Sequence, residues 1–239
     1  MMPEMSTEEK TMIAIMKPWG GTCALCGQKT GKTQMIDHLK TCLESEAVKP
    51  AGKPVKLSHL VVEGRYQPEY WLHLDVPASA SLEVLDTFLR SIWLECCGHL
   101  SAFTIEGERY ASQPTDDDPG WSRKEQSMRC KLGKILHPGM TFFHEYDFGT
   151  TTHLSLKVVG EREGVLVKRR VRLLARNDPP TISCVSCGKP ATLVCAICHH
   201  SGDAWFCKEC ASRHECEGAG EAFHPVVNSP RTGLCGYTG

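Results

Sequence analysis

The 239-residue sequence predicts an α+β fold: a compact central domain of antiparallel strands with one main helix, carrying a small cysteine-rich module at each end. Three features predict it. One segment repeats apolar residues at helical spacing, several short strand-like segments follow one another across tight turns, and C-x2-C pairs are confined to the two ends. Apolar residues make up 41% and charged residues 23% of the chain, ordinary values for a globular protein. The net charge of −1 excludes a chain that is basic throughout. Locally, however, residues 121–176 hold 12 Lys/Arg against 5 Asp/Glu, which can mark a face for anionic partners.

Residues 1–17 read as a tail. No basic start followed by a long apolar run is visible there, and no stretch approaches the roughly 20 apolar residues of a membrane span. With cysteines arranged as metal-ligand doublets, a reducing, cytoplasmic setting and no membrane partner are expected. Residues 18–43 follow as a C2HC-type finger. Cys23 and Cys26 form a knuckle with Gly27 in its turn, while His38 and Cys42 share one face of a helix at i, i+4. Two thiolates three positions apart grip a metal from a tight turn, and tetrahedral zinc needs two more donors, which this helix supplies.

Residues 44–56, rich in Pro, Ala and charges, read as a linker. The central domain is expected over 57–176. Residues 69–76 alternate as a strand, and Ser81 is placed to cap the helix that follows. Leu82, Leu85, Phe88, Leu89, Ile92, Trp93 and Cys96 make its apolar stripe, so Cys96 and Cys97 read as core thiols. A hairpin should turn near Glu106-Gly107 and a loop should cover the acidic run after Gln113. A short helix is expected near 131–136, then strands over 140–148, 152–159 and 165–174, with the GEREG run at 160–164 as a turn.

Asn177-Asp178-Pro179-Pro180 closes that domain. Residues 181–239 hold three further pairs, Cys184/Cys187, Cys195/Cys198 and Cys207/Cys210, then His214, Cys216, His224 and Cys235. Two tetrahedral sites need eight ligands. His214 is the seventh, one helical turn beyond Cys210, and Cys216 is taken as the eighth in competition with His224 and Cys235. The order fits a cross-braced B-box or MYND-like module, in which the first and third pairs share one ion, and also permits sequential sites. His199 and His200 read as exposed, and Trp205-Phe206 as an apolar plug between the ions. Three structural Zn2+ ions are expected in all, each closed by four protein ligands with no position left for water. Nothing points to a small-molecule cofactor.

The run HLDVPASASLEVLDTFLRSIWLECCGHLSAFTIEGERY, continued by KLGKILHPGMTFFHEYDFGTTTHLSLKVVGER, resembles the plasmid pRiA4b ORF-3-like family over about residues 57–175. His99, Leu100 and Phe103 match its HLHxF stretch, and Tyr146-Asp147-Phe148-Gly149 its YDFGD stretch. The tail PVVNSPRTGLCGYTG is similar to that of longer members. The family pattern continues with an acidic residue, a Trp and a His. Here Thr150 and Thr152 replace the first two, Leu154 falls at the His position, and His153 comes one residue early. Glu95 stands where the family carries an acidic residue after the helix. The resemblance implies an α+β fold and a link to passenger genes of mobile elements.

Two functions follow from different features. The first is a zinc-binding, non-catalytic adaptor for a protein or a nucleic acid. On a strand, Lys168, Arg170 and Arg172 would share one face in a row able to follow phosphates, with Lys29, Lys32 and Lys40 of the finger as further cations. The alternative is a metal-dependent hydrolase or nuclease using His99, Glu145, Asp147 and His153, with the carboxylates of Glu145 and Asp147 on one strand face.

Overall fold

A computed structural model describes residues 20–46, 52–114, 125–166, 171–216 and 222–239. The tail 1–17, most of the acidic loop after Gln113, and Lys168 and Arg170 lie outside the described residues. So does the side chain of His200.

The chain begins with β1 (Gly20–Cys23), β2 (Lys29–Gly31) and α1 (Lys32–Glu46). A long hairpin follows, β3 (Val55–Gly64) and β4 (Gln67–Pro77), then α2 (Leu82–Leu89), which continues through a wide π-type turn at Arg90–Leu94. Next come β5 (Ser101–Ile105), β6 (Glu108–Ala111), β7 (Gln126–Ser127), a 3-10 turn at Leu132–Lys134, β8 (Thr141–Tyr146), β9 (Thr152–Gly164) and β10 (Arg172–Asn177). The C-terminal part contains β11 (Leu193–Cys195), β12 (Trp205–Phe206), α3 (Lys208–Ala211) and β13 (Phe223–Pro225). This is the expected α+β architecture. Strands β1–β10 form one sheet in the order β2-β1-β10-β4-β3-β9-β8-β5-β6-β7. Its pairs are antiparallel except the short β6–β7 edge.

The main core lies on one sheet face. Tyr70, Leu72, Leu74 and Val76 of β4 pack there with Leu82, Leu85, Leu89, Trp93 and Leu94 of the helical stripe and Phe142 and Tyr146 of β8. Burying each large apolar side chain is worth about 1.5–3 kcal/mol, so this cluster holds the fold together. The simple alternation expected for β4 fails, because its other face is buried too. Trp71 packs with Met35 and Leu39 of α1 and with Cys23, Leu174 and Ala175. The finger is thus attached to the domain twice: its strands extend the sheet through the β1–β10 pairing, and its helix covers Trp71. A Cβ on Gly21 would sit 2.3 Å from the Trp71 ring, so only glycine allows this approach.

Two local expectations need correction. Ser81 occupies the cap position of α2, but its side chain makes no capping bond; its backbone instead bridges to Lys131. The GEREG run is not a turn. β9 passes straight through it, with Glu161 opposite Ser58 and Arg162 opposite Leu57, and a register shift lies between His59 and Leu60. Lys56–Glu161 at 2.8 Å and Arg162–Asp75 tie the charges that made the run look solvated. Of the strand expected at 165–174, Val165 and Leu166 lie outside any strand, 167–170 lie outside the described residues, and β10 runs from Arg172 to Asn177.

Next to Asp75 on the second face, the rings of His59 and His73 share one hydrogen bond of 2.9 Å in the buried interior. Burial first, then the Arg162 guanidinium, pushes His59 down to about 4. Burial and the neighbouring His59 push His73 to about 3. Both lie below the unfolded value of about 6.5, so the unfolded chain binds more protons between these limits. The stabilisation is complete above pH 6.5 and is lost as the pH falls toward 4. Urea midpoints should therefore drop between pH 7 and pH 5, and the drop should be smaller in a His59→Gln/His73→Gln variant. Equal drops in the two proteins would contradict the assignment.

Candidate metal centres

Each centre is built from local backbone geometry. In the finger, β1 ends on Cys23, the Gly27 amide returns to the Cys23 carbonyl at 2.9 Å, and Gly27 takes φ 77°. This knuckle aims Cys23 and Cys26 at α1. Cys23 Sγ lies 4.0 Å from Cys42 Sγ, and Cys26 Sγ 3.4 Å from His38 Nε2. A zinc–sulfur bond of 2.3 Å in a tetrahedron sets sulfur–sulfur edges of about 3.8 Å, and all four donors fall within 4.8 Å of one another. Burial, then the Cys26 thiol, pushes Cys42 up to about 12; a cation among these sulfurs reverses that preference. The finger's cations are engaged by carboxylates: Lys29 with Asp178 at 3.0 Å, Lys32 with Glu63 at 3.0 Å and Lys40 with Asp37 at 2.9 Å.

The C-terminal pairs interleave. Cys184, Cys187, Cys207 and Cys210 gather in one set, and Cys195, Cys198, His214 and Cys216 in another. The first and third pairs lie together, as in the cross-braced order, and Cys216 stands with the second set as its fourth possible donor. Contact distances again match tetrahedral edges: Cys187–Cys207 3.7 Å, Cys195–Cys216 3.7 Å and Cys198–His214 3.4 Å. Burial alone would raise the Cys184 thiol, but the backbone N–H groups of Cys207, Ser186 and Cys187 bring it down to about 6. The loop therefore favours a thiolate. Phe206 is buried, with its ring 4.4 Å from that of His214 and 5.7 Å from that of Phe223. It is the apolar plug, whereas Trp205 turns to His199 at 5.6 Å. His224 sits in β13 opposite Val194, outside both sets.

A fourth set was not anticipated. Cys96, Cys97 and His99 meet Cys235 from the far end of the chain. The π-type turn ends the helix just before them, Glu95 accepts from the Gly98 amide at 2.7 Å, and Gly98 takes φ 81°. After this bend Cys97 is exposed, not the core thiol its place suggested, whereas Cys96 is half-buried and still packs against the main core. The sequence signal was C-C-x-H within four residues plus a leftover Cys235, but the two parts are 136 positions apart.

The four residues of the hydrolase alternative do not converge. Asp147 follows the end of β8 with φ 65°, so it leaves the face that Glu145 occupies. Its carboxylate binds Arg231 at 2.7 Å and lies 3.4 Å from His99. Glu145 binds Arg109 at 2.9 Å and lies 3.5 Å from His153. Glu145 borders a cavity of about 420 Å³ and His99 a different one of about 530 Å³. His144, buried, pairs with Asp86 at 2.8 Å.

A largely antiparallel α+β domain bearing zinc-type Cys/His centres is the class these features define. The model of the plasmid pRiA4b ORF-3-like protein family matches residues 60–180, and the chain belongs to that family. No curated protein matches it. Among solved structures it is similar to a protein of unknown function from Methanosarcina mazei Go1, at 18% identity and a TM-score of 0.40, over 47% of this chain and 66% of that one. Among the described residues, no helix is long and apolar enough to cross a membrane.

Proposed function

We propose that this is a zinc-dependent, non-catalytic binding protein whose two end modules are each held in shape by structural Zn2+, one ion in the finger and two in the C-terminal module. The closure of these three donor sets supports the reading: each offers four protein ligands at tetrahedral spacing, and a closed set leaves no position for a substrate or an activated water. The separation of His99/Asp147 from Glu145/His153 favours it over the hydrolase. Metal analysis tests it; iron in place of zinc, or one ion per chain, would overturn the ligand assignment.

The finer reading is that the partner is a nucleic acid, held by phosphate contacts from Lys168, Arg170 and Arg172 in a protein linked to mobile elements. Replacing the three residues with Ala should weaken binding to DNA equally for all sequences, since phosphate contacts carry no base information. The logarithmic salt slope should become shallower by about 2–3, near 0.9 per lost contact. Gel-shift titrations at two salt concentrations check this. No binding by the parent protein at low salt below about 100 μM, the weak end of non-specific affinity, removes the nucleic acid and leaves a protein partner.

A further inference from the structure

We infer that Cys96, Cys97, His99 and Cys235 form a fourth zinc-class metal site, and that its ion acts as a clasp fastening the C-terminal tail to the central domain. The donor distances carry the first half. Cys96–Cys97 is 3.5 Å, Cys97–Cys235 3.8 Å, Cys97–His99 3.0 Å and His99–Cys235 3.2 Å. Sulfurs 3.5–3.8 Å apart suit edges of a tetrahedron around one ion, about 3.8 Å, and are too distant for a disulfide, about 2.0 Å. Three thiolates and an imidazole around a divalent ion leave one net negative charge. The Arg231 guanidinium, 3.4 Å from Cys96 Sγ, is placed to offset it.

The second half comes from what the donors join. Cys96, Cys97 and His99 belong to the bend after α2, while Cys235 belongs to the tail. Just upstream of it, Ser229 donates to the Trp93 carbonyl at 2.6 Å and Asn228 exchanges hydrogen bonds with Asn177 at 2.7 and 2.9 Å. Arg231 is fully buried against Asp147 and Thr152. The tail is thus threaded into the domain by polar contacts upstream of Cys235, and an ion at its end closes the loop around them. Cys97 and Cys235 are both exposed, which makes this the most open of the four sets.

The inference stands apart from the three-ion reading above, and one comparison separates them. Zinc per chain is measured for the full-length parent and for Cys235→Ser and Cys97→Ser, whose exposed side chains leave the core untouched. Hydrogen exchange is followed at Thr232, Leu234 and Tyr237, whose amides bond within the tail. Each variant should lose one ion relative to the parent, keep the rest, and exchange the tail amides at least tenfold faster. Unchanged zinc in both variants, or a Cys97–Cys235 disulfide in parent protein kept under reductant, overturns the site. Loss of the ion with unchanged exchange overturns the clasp. A parent with three ions that are all retained rejects this inference alone; a parent with a single ion that Cys235→Ser removes rejects the three-ion reading alone.

Discussion

Stripping metal under reducing conditions should unfold residues 20–46 and 182–216 while the core built by β3–β9 and α2 keeps its hydrogen-exchange protection. The finger owns a cluster of a few residues around Met35, Leu39 and Trp71, and the C-terminal module one around Phe206, Ala211 and Ala222. Neither offsets the entropy of ordering its chain without an ion, whose binding supplies on the order of 10 kcal/mol per site. Interleaving adds a sharper expectation for Cys207→Ser. Because Cys195 and Cys198 lie in sequence between the two halves of the first set, the module should release both C-terminal ions together. Two side-by-side sites would release one. Zinc analysis of the variant reads the number directly, and collapse of protection in β3 and β4 after chelation would refute the division of the chain into separately stabilised parts.

Arg231→Ala should cost about 3–5 kcal/mol of stability, the range for breaking a buried ion pair by removing one partner. The side chain is wholly buried, donating to Asp147 at 2.7 Å, to Thr152 Oγ1 at 3.0 Å and to the Thr150 carbonyl at 3.2 Å, with its guanidinium 4.8 Å from the Tyr146 ring centroid. Asp147 is held from its other side by the amides of Gly149 and Thr150 at 3.1 and 3.2 Å. Truncating the arginine strands this carboxylate. An Arg231→Met/Asp147→Asn double variant should cost less than the sum of the single changes, since it removes both charges and Asn tolerates the left-handed backbone at 147. Urea titration of the parent, Arg231→Met, Asp147→Asn and the double variant measures the coupling; a loss under about 1 kcal/mol in Arg231→Ala, titrated beside them, would show the pair to be weak.

The finger could be read from sequence because its donors are encoded locally, a knuckle and one helical turn apart. The C-terminal doublets were equally legible as ligands, but their pairing was not. Which loop crosses which depends on the pairing of β11 with β12, which sets Leu193 opposite Phe206. Cys195 and Cys207 therefore stand at opposite ends of the pair, each with a different donor set, an arrangement that spacing leaves open. The fourth set was obscured by a competing signal: Cys96 continues a helical stripe, and only the wide turn at Arg90–Leu94 breaks its phase. The continuation of β9 was missed for an electrostatic reason. Gly160 and the alternating charges after it look like a solvated bend until Lys56 and Asp75 are known to stand opposite. The double-sided burial of β4 was invisible because the chain that covers its second face comes from α1, across the linker.

The finger's place at the end of the ten-stranded sheet has a bearing on solubility. A sheet edge with free N–H and C=O groups recruits other chains, and proteins blunt such edges with short or covered strands. Here one margin ends in the two-residue β7. The other would be β10, a six-residue strand next to the hydrophobic β4, were it not covered by β1 and then by the three-residue β2. On the proposed reading, that cover is only as durable as the binding of an ion by Cys23, Cys26, His38 and Cys42, which lie together as a possible donor set. In a zinc-starved cell the first consequence would be a bare adhesive edge and an uncovered Trp71, so the protein would be expected to accumulate in the insoluble fraction before its central core unfolds.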